Sequence, residues 1–438
     1  MMQFSFDEAQ NLFQDSLRKA LDRLPCVNDR AQYLSADAEQ RQAIWDALTK
    51  TGLISLPFDS PLANTSVDAT IKNASITTDS QALRERFIGT MQLHYAAAAM
   101  MVVGERLVLE PVLNSVFQAN LILCLCQPFQ QSDTGEQWQK LVTDICDSKT
   151  SLSYIDGSTV NGSTINDSTV DESANHHTKE IVTPANLNCH WHIENQNNTQ
   201  YFILNGQIKH CIDVGENNGL IICLNKRDAT MADSDATAIF YLPINHHSIQ
   251  FEQYRYYDGH RGLNLQLDQL RLNQSQCLMQ GNEANIINTL IKDYSSILLC
   301  AEAFGIVCVV LQQTIDYAKT RQQFGQPISG FQVIRHRLAD MYIAVENFRS
   351  ILFATLDHAQ SGPIKSVDLN VLIYQTIQAA RLIGQQSVQI HGGMGMIDEL
   401  MIGHYFKRLT CISVQLGQAD QIARNLGKTL LTAAGTLV

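Results

Sequence analysis

At 438 residues and 48.9 kDa the chain is long enough to bury a large core and to divide into two or three domains. With 45% hydrophobic and 17% charged residues it has the composition of an ordinary globular protein. A formal charge of −12, from 31 Lys+Arg against 43 Asp+Glu, repels phosphate polyanions and argues against nucleic acid as a partner.

The amino terminus, Met1 to Glu8, has no basic segment leading into an apolar core and does not read as a secretory signal. From Phe6 to about Ile145 apolar residues recur at helical spacing, as in Phe13, Leu17 and Leu21 and again through Ala96 to Met101. A polar loop from Asp59 to Asp79 interrupts this pattern, and a boundary is expected near residue 150. Cys124 and Cys126 are too close to form half of a zinc site, and the eleven scattered cysteines read as reduced thiols of a cytoplasmic protein.

Asp156 to Val170 is a near-repeat of turn formers and hydroxyls: Asp-Gly-Ser-Thr-Val, Asn-Gly-Ser-Thr-Ile, Asn-Asp-Ser-Thr-Val. Ser, Thr and Gly suit a phosphate loop or a solenoid, but three short copies bury no core, and an expanded surface loop is expected. His176-His177 has no third ligand nearby and reads as exposed loop. From Asn186 to Leu272 the signals become strands: Tyr201 to Leu204, Gly219 to Leu224, Ala238 to Leu242 and Leu263 to Leu267, separated by Asn, Gly and Asp. After Gly281 helices are expected over 283–320, 331–359, 364–391 and 397–430, broken by Gly362-Pro363 and by the glycines at 392–395. The apolar run Ile297 to Leu311 contains Glu302 and falls short of the ~20 residues of a membrane span, which predicts a buried core helix.

Two segments carry the chemistry. Arg321-Gln322-Gln323-Phe324-Gly325-Gln326-Pro327-Ile328 and Gln389-Ile390-His391-Gly392-Gly393-Met394-Gly395 each close a long helix with an amide, a cation or aromatic, and glycine. An arginine fork holds a pyrophosphate bidentately, glycines admit backbone N–H groups close to phosphate, and a phenylalanine offers a flat face to a ring. Taken one at a time, each segment is more simply a helix stop or a C-cap.

Together the two segments resemble the carboxyl-terminal domain of the acyl-CoA dehydrogenase family, with its R-x-x-F-G-x-P-I and Q-x-H-G-G-x-G motifs. Phe331-Gln332 through Leu338-Ala339-Asp340-Met341, the stretch Glu399 to Lys407, and Trp45 through Gly52-Leu53 are similar to further family segments. Val102-Val103-Gly104-Glu105-Arg106-Leu107 through Pro111-Val112, with Tyr257-Asp258-Gly259, resembles the small-subunit branch of the pimeloyl-CoA dehydrogenases. The resemblance implies an α+β multidomain fold: an α-helical amino-terminal domain over 1–150, a sandwich-like β-domain over 151–275 carrying the Ser/Thr-rich insertion, and a four-helix bundle over 276–438. It implies FAD as cofactor. Arg321, Gln323, Phe324 and Gln418 fall at cofactor-binding positions, while Gln389, Gly392 and Gly393 match a clamp supplied by a neighbouring subunit. In the middle domain the family's E-x-x-x-G-S-D loop is replaced by the repeat, and Lys209-His210-Cys211 stands in its W-I-T region.

Desaturating an acyl-CoA needs a carboxylate for the α-proton and an oxidised flavin for the β-hydride. Where the family carries the glutamate of Y-E-G-T, this chain has Gln415-Leu416-Gly417-Gln418, and the alternative base position falls on Ser295. Three carboxylates could stand in. Glu302 lies on the same helix face as Ser295, about 10 Å further along, with pairing to an inter-helix arginine as its plainer role. Asp420 lies one turn beyond Leu416, with a helix N-terminal charge as its plainer role. Asp293 reads as solvated. His391 has the chemistry for proton transfer, although a packed or hydrogen-bonded imidazole is the plainer reading.

The expected activity is therefore FAD-dependent α,β-desaturation of an acyl-CoA by one subunit of a homo- or hetero-oligomer. A homologous large subunit would supply the base, and an electron-transferring flavoprotein would take the electrons. The alternatives are a structural or regulatory subunit without turnover and a flavin monooxygenase on the same fold, which needs no α-proton base.

Overall fold

The computed structural model describes residues 5–59, 80–126, 134–158, 189–196, 199–212, 219–226, 236–244 and 248–435. The polar loop after Asp59, the hydroxyl-rich repeat after Ser158, and His176-His177 lie outside the described residues. Helices come first: α1 (Glu8–Asp22), α2 (Pro25–Asn28), α3 (Arg30–Leu34), α4 (Ala38–Lys50), α5 (Ser80–Met91), α6 (Leu93–Glu105), α7 (Val112–Asn114), α8 (Leu121–Leu125) and α9 (Thr134–Cys146). A π-helical turn, Ser115–Asn120, joins α7 to α8. Asp7 with Gln10 and Asp37 with Gln40 form capping boxes that start α1 and α4 by satisfying otherwise orphaned N–H groups. Leu17 and Leu21 of α1 and Ile44 and Leu48 of α4 are the buried faces that the helical spacing implied.

The strands β1 (Leu152–Gly157), β2 (His190–Gln196), β3 (Thr199–Ile212), β4 (Gly219–Lys226), β5 (Thr237–Pro243), β6 (Ile249–Arg255), β7 (Arg261–Asn273) and β8 (Cys277–Gln280) build one mixed sheet. Its order is β6-β7-β3-β2-β4-β5-β8, with β1 added in parallel to β4. Two facing sheets were expected; instead β2 joins the halves, pairing antiparallel with β3 along its length and parallel with β4 only through His190 and Trp191. The sheet encloses its own core, in which Trp191, Phe202 and Phe240 meet edge to face at centroid distances of 5.3–5.9 Å. The indole N–H of Trp191 donates to the carbonyls of Leu224 and Ala236, so its polar edge is satisfied inside that core.

The carboxyl-terminal helices are α10 (Asn282–Thr320), α11 (Gln332–Ser361), α12 (Ser366–His391), α13 (Met401–Leu416) and α14 (Ala419–Gly435). A two-stranded hairpin of β9 (Gln322–Gln323) and β10 (Gln326–Pro327) follows α10. The single helix expected over 397–430 is two, because Gly417 adopts φ 107°, ψ −164°, a conformation open essentially to glycine alone, and ends α13 there.

The 39-residue α10 is the spine of the molecule. It is long and apolar enough to cross a membrane, so length does not exclude a span as the shorter apolar run suggested. Its burial assigns it to the interior: 83% of its most apolar window lies inside the protein. α10 crosses α6 at two glycines. A Cβ on Gly305 would fall 2.1 Å from the carbonyl oxygen of Met101, and one on Gly104 would fall 2.2 Å from that of Glu302, so the backbones touch. One continuous hydrophobic core therefore runs from Leu17 and Ile44 through α6 and α10 to Leu409 and Ile412.

Candidate functional site

The two glycine-bearing segments meet at one end of the bundle. Tyr317, one turn before the end of α10, stacks on His391 at the end of α12, with ring centroids 4.2 Å apart and planes 25° apart. His391 Nδ1 lies 2.8 Å from the carbonyl of Ser387, and burial lowers its pKa, so this imidazole is packed and neutral. Beyond this stack both segments turn outward. Phe324 is 91% exposed and Gly325 adopts φ 80°, while Arg321, Gln323, Gln389, Gly392 and Gly393 are all exposed. The side chains of Arg321, Gln323 and Gln389 make no hydrogen bond or ion pair among the described residues. A Cβ on Gly392 or Gly393 would meet nothing within 4 Å, but Gly392 sits at φ 64°. One unpaired guanidinium, two unpaired amides and two open glycines are a donor set that fits a pyrophosphate, and its exposure suits a ligand shared with a second chain.

A second part of the site lies between the sheet and the bundle. β3 bulges at Lys209-His210-Cys211, where its register against β7 shifts and His210 takes φ 61°. The His210 N–H donates to Asn264 Oδ1 at 3.0 Å. The bulge faces a cleft of about 190 Å³ lined by Gln118, Tyr154, His210, Ile291 and Lys292. Lys292 Nζ bonds Asp156 Oδ2 at 2.7 Å in this cleft. Burial pushes the Cys211 thiol up to about 12, so it is protonated and no nucleophile. Enclosed ligand sites usually span ~300–1,000 Å³, so the cleft as it stands is small for a three-ring system.

Leu416 and Ser295, the two positions expected to correspond to a base, are not carboxylates, and the stand-ins are placed unfavourably. Leu416 packs half-buried against the main core at the end of α13, and Gln418 beyond Gly417 is exposed. Ser295 is buried and accepts a hydrogen bond from Gln118 Nε2 at 2.8 Å. Asp420 is exposed in the first turn of α14, where it complements the helix dipole. Asp293, expected in solvent, is half-buried, and desolvation raises its carboxyl pKa against the pull of Lys292 and Arg84.

Glu302 is 2% exposed and fully engaged, since Arg408 Nε and Nη2 donate to its two oxygens at 2.5 and 2.8 Å. Arg408 Nη1 continues to Asp258 Oδ2 at 3.0 Å, and Arg30 donates to the carbonyls of Asp258 and Leu107. Burial alone would raise the Asp258 carboxyl, but the His260 side chain and the Arg408 guanidinium outweigh it and hold it well below the usual carboxylate range. His260 Nδ1 is 3.2 Å from Asp258 Oδ2, close enough for attraction though not aligned as a hydrogen bond. This network ties α3, the β6–β7 turn, α10 and α13 together. Sequence reading anticipated an arginine for Glu302 but not its extension to Asp258 and Arg30, which lie far apart in the chain and share no spacing. Tyr317 was also missed, although it stands four residues before Arg321 on the same helix.

Residues 292–431 match the family model of the acyl-CoA dehydrogenase carboxyl-terminal domain. An acyl-CoA dehydrogenase, IpdE2, of Mycolicibacterium smegmatis is 33% identical over 134 residues, which cover 31% of this chain and 42% of that relative. The mitochondrial isovaleryl-CoA dehydrogenase of Solanum tuberosum is 28% identical over 138 residues, 32% of this chain and 34% of that relative. These alignments thus span less than half the length of either relative. Fold similarity reaches further. The ChsE4-ChsE5 complex of Mycobacterium tuberculosis superposes with a TM-score of 0.71 at 18% identity, covering 98% of this chain and 99% of that one. The butyryl-CoA dehydrogenase of Megasphaera elsdenii does so with 0.70 at 16%, covering 98% and 100%.

Proposed function

We propose, for a chain that belongs to the acyl-CoA dehydrogenase family by its carboxyl-terminal domain and its fold, that it is the flavin-gripping subunit of a heteromeric acyl-CoA dehydrogenase whose base comes from a partner chain. One contrast carries this reading: Arg321, Gln323 and Gln389 are unpaired and exposed, whereas Leu416 and Ser295 stand where a base is expected, Glu302 is ion-paired, Asp420 is in solvent, and Asp293 is half-buried under the pull of Lys292 and Arg84. Arg321 would hold the pyrophosphate of FAD, with Gln323 and Phe324 beside it. Gln389, Gly392 and Gly393 would face the nucleotide of a neighbouring protomer. Bound flavin would supply the acceptor for the β-hydride. This chain's own residues bind and orient, while Leu416 and the Gln118–Ser295 pair line the base positions with groups that take no proton at neutral pH. The electron acceptor in this reading is an electron-transferring flavoprotein, and the compartment is the cytoplasm.

The Asp156–Lys292 bridge across the small cleft favours a second reading, a subunit of the same assembly that holds no flavin and performs no turnover. FAD titration of the full chain, followed by flavin absorbance, separates the two. In the first reading FAD binds, Arg321→Ala weakens it by about tenfold or more through loss of a charge-assisted contact, and acyl-CoA bleaches the flavin only once a co-purified homologous subunit is present. Bleaching by this chain alone with a simple acyl-CoA overturns the partner-supplied base, and absence of flavin binding selects the second reading.

A further inference from the structure

A separate cavity of about 220 Å³ lies among the amino-terminal helices, bounded by α4, the π-turn, the end of α9 and Arg261 at the start of β7. Two of its lining side chains are polar, 2% exposed and unsatisfied: Ser115 Oγ and Asn120 Oδ1 have no hydrogen-bond partner among the described residues. Both belong to the π-turn Ser115–Asn120, and single π-turns occur frequently at functional sites. Orphaned buried acceptors cost roughly 1–3 kcal/mol each, so the arrangement calls for something that fills them.

The charge of the lining says what kind of group. Arg41 and Arg261 line it with one acid, Glu110, while Lys149 at its rim is already paired with Asp147 at 2.7 Å. The Glu110 carboxyl already accepts a hydrogen bond from the Tyr33 hydroxyl, and burial raises its pKa to about 7, so it offers at most a partial negative charge. Arg41 spends its Nε on the carbonyl of Ala36 at 2.9 Å, and its terminal nitrogens make no other hydrogen bond among the described residues. Trp45, Ile54 and Val116 supply apolar wall. At about 220 Å³ the cavity falls below the ~300–1,000 Å³ of an ordinary ligand site and suits a small molecule of a few carbons.

We propose that this cavity binds a short hydroxycarboxylate, with its carboxylate on the terminal nitrogens of Arg41 and its hydroxyl donating to Asn120 Oδ1. The proposal does not depend on flavin binding at the other end of the molecule, and its test reads binding heat rather than activity. Isothermal titration of the full-length chain with 3-hydroxybutyrate, butyrate and inorganic phosphate is the measurement. Saturable heat with 3-hydroxybutyrate, about tenfold weaker binding of butyrate, which leaves the Asn120 acceptor unpaired, and no phosphate binding are expected. Asn120→Leu should erase the preference for the hydroxy acid, and Arg41→Gln should weaken both acids. Arg41 is half-exposed, so that variant keeps the test valid if Asn120→Leu does not fold. No saturable heat in the parent chain, meaning a cavity that holds only water, overturns the proposal. So do equal binding of phosphate and variants that bind like the parent.

Discussion

Replacing Arg408 with methionine tests whether Glu302 is a structural charge. The guanidinium neutralises two carboxylates, Glu302 at 2.5 and 2.8 Å and Asp258 at 3.0 Å, and all three side chains are at most 3% exposed. Breaking one buried pair by removing one partner costs about 3–5 kcal/mol because a charge stays desolvated, and two stranded carboxylates place Arg408→Met at the upper end, about 5 kcal/mol. Glu302→Leu/Arg408→Met should lose less than half as much. It removes one of the stranded charges, and Asp258 keeps the His260 backbone N–H at 3.1 Å and the His260 ring. Urea denaturation of the full chain at neutral pH gives both numbers. A loss below about 1 kcal/mol for Arg408→Met would refute the stabilising role, since only a solvated pair is worth so little. Glu302→Gln that abolishes acyl-CoA turnover in the assembled enzyme while leaving unfolding unchanged would show Glu302 to be the base.

Two buried acids should pull the pH dependence of stability in opposite directions. The folded pKa of Glu110, about 7, lies above its unfolded value, so its contribution is complete below about pH 4.5 and is lost as pH rises to about 7, a decline of about 3 kcal/mol. Glu110→Gln should flatten that decline in urea midpoints taken from pH 5 to pH 8. Asp258 is depressed, so its contribution is present above about pH 4 and is lost on acidification, and Asp258→Asn should lessen acid sensitivity below that pH. Gly305→Val would drive a branched side chain into the backbone of Met101. A loss of about 3 kcal/mol or more in the same denaturation assay is expected, and a variant as stable as the parent would show that the α6–α10 crossing can open.

The long helices were legible because periodic apolar residues and glycine breaks act locally: α10, α11 and α12 end within a few residues of the expected positions. The break at Gly417 was missed because apolar spacing continues across it through Leu416 and Ile422, and only the backbone angle reveals the stop. The cores of β3, β4 and β5 were visible as apolar runs with β-branched or aromatic residues and that of β7 as alternating leucines, whereas β6 carries four exposed residues in succession, Gln250 to Gln253, and reads as polar. β2 reads much the same, with His, Glu, Asn and Gln around Trp191. Arg321, Gln323, Phe324, Gln389, Gly392 and Gly393 were legible by type, but their common location depends on the stacking of Tyr317 with His391, a tertiary contact. Asp293 read as solvated because a charge between Lys292 and Tyr294 gives no hint of the neighbouring α5.

The continuous apolar interior bears on how this polypeptide can be cut. α10 packs on α6 around Gly305, and further upstream Tyr294 meets Phe87 of α5 edge to face at 5.1 Å. A fragment trimmed to the carboxyl-terminal third would bare that long greasy flank to water, so the portion that evolution reuses most recognisably is not one the chain can release as an autonomous folding unit.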